Sequence, residues 1–368
     1  MRINFNREDM EKFQKLIDTR DINIAVANMF MEYNTYYNTI NIDTIKNNKN
    51  ESKIYIDTFL NFFEIDQDEE ENKDIIEKSI IPAISKISSS IFTNNPYYRT
   101  IKINSTKDNK YFLGNIKYHA YQSFASNDAK VLYDDYYREI SSISYLDNKI
   151  EFPAIIKDNI IWMSITPGEI LTMAESIEKS KGKVITFGLG LGYYPFMCSL
   201  KEEVESITII EYDENIIRLF KKHLLPMFPH KEKIKIIHAD AFNYLKENNI
   251  NELFDFAYMD IWHDGEDGLP LYIHFKKFEE NKKCKIEYWL EDSIICMARR
   301  CLLVVIEEIL NGATDKDFKT KNNDIDEVIN DLYFHLKEYE INSYEELDKL
   351  LSKESLIDIL KNISNNKY

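Results

Sequence analysis

The chain has 368 residues, 44% apolar and 30% charged, a balance that supports a buried core and excludes wholesale disorder. Asp and Glu number 63 against 46 Lys and Arg, a formal charge of −17. No stretch concentrates the basic residues that phosphate neutralisation requires, so nucleic acid is disfavoured as a partner, and a neutral or cationic small-molecule or peptide-like partner fits the field better.

The opening segment, MRINFNREDMEKFQKLIDTR, has no apolar stretch between its charges and does not read as a signal peptide. DTFLNFFEID is apolar at helical spacing, DQDEEENKD reads as an acidic solvated linker, and IIEKSIIPAISKISSSIF resumes a helical pattern. Asn94-Asn95-Pro96-Tyr97-Tyr98 reads as a turn. From there, short alternating runs of Ile, Tyr and Phe predict antiparallel strands, so residues 1–150 form a mixed helix and strand domain through which any oligomer is expected to associate.

From residue 151 the pattern changes. NIIWMSITP is strand-like, and Thr166-Pro167-Gly168-Glu169 is a capping box opening a helix that runs to Gly182. KVITF, SITIIE, KIKIIHAD and FDFAYMD are strands, separated by the helices YYPFMCSLKEE, DENIIRLFKKHLL and AFNYLKENN. LPLYIHFKKFEENKK predicts a helix, CKIEYW a fifth strand and EDSIICMARRCLLVVIEEIL a long amphipathic helix. Arg299 and Arg300 read as surface charges of that last helix, and they interrupt the most apolar run, so no membrane span is expected.

Such alternation implies parallel βαβ units with right-handed crossovers. The expected fold is α/β: a doubly wound, mostly parallel Rossmann-like sheet over 151–312, with a helical extension over 313–368 lacking a further strand pair. Cys198, Cys284, Cys296 and Cys301 show neither CxxC pairing nor metal-ligand spacing with histidine, and read as reduced thiols of a cytoplasmic protein with no metal site.

Only nine glycines occur, and three of them, Gly188, Gly190 and Gly192, form a G-x-G-x-G turn from the first of these strands into a helix. Such a turn lets a ligand approach backbone N–H groups at a helix start. The next strand ends in Glu211, 19 residues after Gly192, where a carboxylate can accept both hydroxyls of a ribose. The third ends in Asp240-Ala241, an acceptor for an exocyclic adenine amine beside a small residue that leaves room for the ring. Both acids also suit helix caps.

At VITFGLGLGYY, SITIIEYDENII, HADAFNYL and FDFAYMDIWHD the chain resembles the class I S-adenosylmethionine-dependent methyltransferases, within them the branch that includes the spermidine synthases, over roughly residues 183–264. The resemblance implies that Gly188, Gly190 and Gly192 line the methionine and ribose, Glu211 holds the ribose, and Asp240 with Ala241 meets adenine. Leu191 stands where spermidine synthases carry an aspartate facing the transferred group, which argues against aminopropyl transfer.

The fourth strand ends in Asp260-Ile261-Trp262-His263-Asp264, where the resemblance places the acceptor. Asp260, His263 and Asp264 are the candidate catalytic groups, Trp262 the candidate for stacking on a cationic acceptor, and Gly265 with Gly268 the flanks of a mobile acidic loop. The expectation is a methyltransferase using S-adenosylmethionine. The alternatives are a spermidine synthase-like aminopropyl transferase and an inactive nucleoside-binding protein of the same fold.

Overall fold

In the runs KVITF, SITII and FAYM consecutive side chains are buried, Thr186 and Thr208 included, because both faces of their strands are covered, the condition of a parallel sheet between helices. The computed structural model describes residues 1–35, 45, 50–108, 110–279, 283–319 and 323–367. Its central sheet comprises β1 (Gly182–Phe187), β2 (Val204–Glu211), β3 (Ile234–His238), β4 (Phe256–Met259) and β5 (Lys285–Tyr288). All are parallel, in the order β3-β2-β1-β4-β5, so the order reverses between β1 and β4.

Side chains alternate between the two faces. Val184, Ile207, Ile209, Phe256 and Tyr258 pack with α1 (Pro167–Lys179), α2 (Tyr193–Ser199) and α3 (Glu214–His223). Ile185, Phe187, Ile210, Ala257 and Met259 pack with α4 (Ala241–Glu247), α5 (Gly265–Lys276) and α6 (Glu291–Leu310). At roughly 25 cal/mol per Å² of apolar surface, these two layers are the main stabilising term. The protein is thus a mixed α/β molecule built on a parallel sheet.

The residues before β1 supply a four-stranded antiparallel sheet, in the order Ile160–Ser164, Ile150–Lys157, Tyr111–Tyr118, Thr106–Asp108. Asp158 and Asn159, both at positive φ, make the tight turn that a hairpin's twist demands and bring Ile160–Ser164 back along its neighbour. The long helix Arg7–Thr35 buries Phe13, Leu16 and Ile17 against the same core as α6. Helices α7 (Asp324–Leu336), α8 (Tyr344–Leu351) and α9 (Lys353–Lys367) complete that core with Leu332, Leu336, Leu347, Leu351, Leu356 and Leu360.

Several sequence expectations change. The extension after 313 contains Glu340–Ile341, which pairs in parallel with Arg2–Ile3 and ties the two ends of the chain together. The acidic run after Asp66 enters a short helix, Glu70–Ile75, although its side chains stay exposed. Asn95 caps a five-residue helix, Pro96–Thr100, where a turn is expected. Arg299 is not a surface charge: it is 2% exposed, its Nε donates to the Leu351 carbonyl at 3.0 Å, and its guanidinium lies 4.6 Å from the Tyr137 ring centre. Arg300 pairs with Glu139. Gly265 and Gly268 are no loop. They begin α5, where a side chain at Gly265 would meet the Ser293 backbone and one at Gly268 the Trp262 ring.

Candidate functional site

At the carboxyl ends of β1 to β4, beside the reversal of strand order, lies a cavity of about 440 Å³. Its wall includes Gly188, Gly190, Glu211, Asp240, Ala241, Asp260, Trp262 and His263. These eight predicted residues, scattered over 76 positions of sequence, meet there because each follows a strand of one sheet. Gly192 and Asp264 do not line it.

The glycine turn divides its labour. Gly188, at φ +99°, would place a Cβ 2.1 Å from the Asp260 carbonyl oxygen, so only glycine there lets the ends of β1 and β4 approach this closely. Gly190, at φ +51°, has nothing within 4 Å of the Cβ position and faces open space. Gly192, at φ +78°, starts α2, and its missing Cβ leaves room for Phe220 and Phe228. It is a packing glycine.

Glu211 braces this turn. Its carboxylate accepts the Leu189 N–H at 3.0 Å and the Asp213 N–H at 2.7 Å, and a carboxylate keeps further lone pairs for a ligand. Burial pushes its carboxyl above the usual range. Asp240 caps α4 through the Asn243 N–H at 2.9 Å while still lining the cavity with Ala241, so the capping and the ligand-facing readings coincide. Tyr212, 74% exposed, stands at the rim beside Glu211.

Asp260 follows the last residue of β4 and is anchored through its N–H to the Phe187 carbonyl at 3.0 Å. Glu169, which sequence reasoning placed only in a helix cap, lines the same cavity. It accepts the Thr166 N–H at 2.6 Å and the Thr166 hydroxyl at 3.1 Å, so the box that starts α1 also aims a carboxylate at the cavity. Burial, and then the Glu169 charge, push the Asp260 carboxyl up to about 8. Burial outweighs the hydrogen bonds to Glu169 and pushes it up to about 7. Glu169, Glu211, Asp240 and Asp260 face a cavity that no Lys or Arg among the described residues lines.

Trp262 is 5% exposed, donates through Nε1 to the Trp289 carbonyl at 3.0 Å and packs on Phe275 and Tyr288, so it is a wall of the cavity held by the core. His263 is exposed, with Nδ1 2.8 Å from Asp267. Asp264 caps α5 through the Glu266 and Asp267 N–H groups, and Asp267 returns a bond to the Asp264 N–H. Trp162 was not singled out by sequence. It lies at an irregularity between Ile161 and Met163 in the edge strand Ile160–Ser164, lines the cavity, and carries Lys157 Nζ 3.9 Å from its ring centre. Among the described residues no group of three or more His, Cys, Asp or Glu is placed to hold a metal, all four cysteines are buried free thiols, and no helix is long and apolar enough to cross a membrane.

No protein family model matches this chain, and no curated protein does. Among solved structures it is similar to the spermidine synthase of Thermotoga maritima, at 15% identity and a TM-score of 0.28, over 38% of this chain and 53% of that one. It is also similar to a spermidine synthase in complex with the transition-state analogue AdoDATO, at 16% identity and a TM-score of 0.28, over 38% of this chain and 54% of that one. The match spans about half of each relative's length. The chemistry of the site follows from its own residues.

Proposed function

We propose that the chain binds S-adenosylmethionine in this cavity and transfers its methyl group to a small or peptide-like acceptor. The observation that carries the reading is that Asp240 with Ala241, the Glu211 carboxylate, the open face of Gly190, and Asp260 line one cavity at the ends of the adjacent strands β3, β2, β1 and β4. When bound, S-adenosylmethionine supplies a methyl group whose C–S bond breaks in line as the acceptor's lone pair forms the new bond, the electron pair staying on sulfur.

The chain's own residues then have separate tasks. Gly190 leaves room for the ligand, Glu211 accepts from ribose hydroxyls, and Asp240 accepts from the adenine amine. Asp260 orients an amine acceptor and takes the proton it gives up. A cation entering the cavity favours the charged form of this carboxyl, which burial otherwise keeps protonated at neutral pH.

One observation favours the second reading, aminopropyl transfer from decarboxylated S-adenosylmethionine: among the described residues no Lys or Arg lines the cavity to meet the carboxylate of an intact methionine. Leu191 opposes it. Thermal shift assays with S-adenosylhomocysteine and NAD test the common ground, and stabilisation by the former alone is expected. Equal stabilisation by NAD, or none by S-adenosylhomocysteine, overturns the proposal. Tighter calorimetric binding of decarboxylated than of intact S-adenosylmethionine moves the assignment to the second reading.

A further inference from the structure

The segment Asn95–Tyr98 reaches the glycine turn and the start of α2. Asn95 Nδ2 donates to the Tyr193 hydroxyl at 2.9 Å, and the Tyr97 hydroxyl donates to the Leu191 carbonyl at 2.7 Å. Tyr98 belongs to the same five-residue helix but donates elsewhere, to the Ile165 carbonyl at 2.7 Å. Tyr97 is fully buried, with its ring edge-on to Tyr193 and Phe196 at 5.5 and 5.2 Å.

Leu191 lies between two glycines, each at positive φ, in a stretch whose backbone has the widest conformational choice in the chain. Its peptide plane is nevertheless held at both ends. The carbonyl accepts from Tyr97, and the N–H of the same peptide, on Gly192, donates to the Leu189 carbonyl at 2.9 Å. The Leu189 N–H is in turn accepted by Glu211. The turn is therefore clamped between a strand-end acid of the parallel sheet and a tyrosine contributed from 85 residues before the start of β1.

We infer that Tyr97 is a positioning residue for the adenosyl ligand: the amino-terminal region sets the glycine turn in its binding conformation through the Tyr97–Leu191 hydrogen bond. Residues before 150 are then an obligatory part of the cofactor site, although none of Asn95, Tyr97 and Tyr98 lines the cavity. Burial holds the Tyr97 hydroxyl protonated, so it remains a donor throughout the working pH range. The inference rests on the cofactor reading above for its binding readout and on the clamp geometry for its structural one.

The test compares Tyr97→Phe and Tyr98→Phe in the full chain. Each removes one hydroxyl of the same short helix from one backbone carbonyl, but only the first touches the turn. Tyr97→Phe is expected to weaken S-adenosylhomocysteine binding about 10-fold and to speed hydrogen exchange of the ligand-free 188–193 segment several-fold. Tyr98→Phe is expected to leave both within about 2-fold. Parent-like affinity and exchange in Tyr97→Phe overturn the inference, as does an equal loss in both variants that tracks their melting temperatures. Should Tyr97→Phe fail to fold, Asn95→Ala replaces it with the same expectations and the same overturning results. If the parent itself binds no S-adenosylhomocysteine, the cofactor reading fails, and the exchange comparison alone decides whether the clamp exists.

Discussion

Glu211 shows how one side chain can serve structure and ligand together. It holds Leu189 and Asp213 N–H groups and still borders the cavity. Glu211→Ala is expected to weaken S-adenosylhomocysteine binding by one to two orders of magnitude, about 1.5–3 kcal/mol for a charged bidentate site, as read by calorimetry. Unchanged affinity in a folded variant would assign Glu211 to the turn alone. Gly190 is the complementary case, since its absent side chain matters through the space it leaves. Gly190→Val is expected to abolish measurable binding while lowering the melting temperature only modestly, because the valine strains a positive φ and occupies the open space. Normal binding by this variant would remove the turn from the site.

At the scale of elements, α6 begins without a cap of its own. The residue before it is Leu290, at φ +54°, with no capping side chain. Asp128, from the antiparallel region, accepts the Asp292 and Ser293 N–H groups at 2.9 Å each and so caps the helix from a distant part of the chain. Asp128→Ala is expected to cost about 1–2 kcal/mol, seen as a lower denaturation midpoint in urea, with Asp128→Asn recovering part of it. Parent-like unfolding would show that water caps α6 as well. Elements were also where the sequence was most legible. The four strands KVITF, SITIIE, KIKIIHAD and FDFAYMD, CKIEYW after them and the capping box at Thr166 stand where their local pattern puts them. The start of α5 was missed because Gly265 and Gly268 suggested a loop, whereas the Asp264–Asp267 capping box nucleates a helix there.

For the whole molecule, the cavity links stability to pH. Asp260 and Glu169 have raised folded pKa values, about 8 and about 7, against 3.8 and 4.5 as ordinary carboxyls. Between those limits the folded state holds more protons than the unfolded one, so this contribution is full below pH about 4 and is lost as pH rises toward 8. The melting temperature of the ligand-free parent is therefore expected to fall, relative to Asp260→Asn, between pH 5 and 8, as followed by scanning calorimetry. Parallel pH profiles for the two proteins would show that the Asp260 carboxyl is not raised in the folded chain.

The sequence by itself determined the α/β alternation, the glycine turn and the acids that end β2, β3 and β4, because each is set by period, turn chemistry and position relative to a neighbouring run. Tertiary structure alone decided which roles those residues share. Glu169 faces the same cavity as Asp260 only because α1 packs into the core on the sheet face that carries Phe256 and Tyr258. Gly192 serves Phe220 and Phe228 because α3 returns against α2. Arg299 is buried because α8 and Tyr137, from distant parts of the chain, close over α6. Contacts of this kind join segments tens to hundreds of residues apart, and the side chains concerned satisfy their local pattern equally well in either environment, so nothing in a window of sequence distinguishes them.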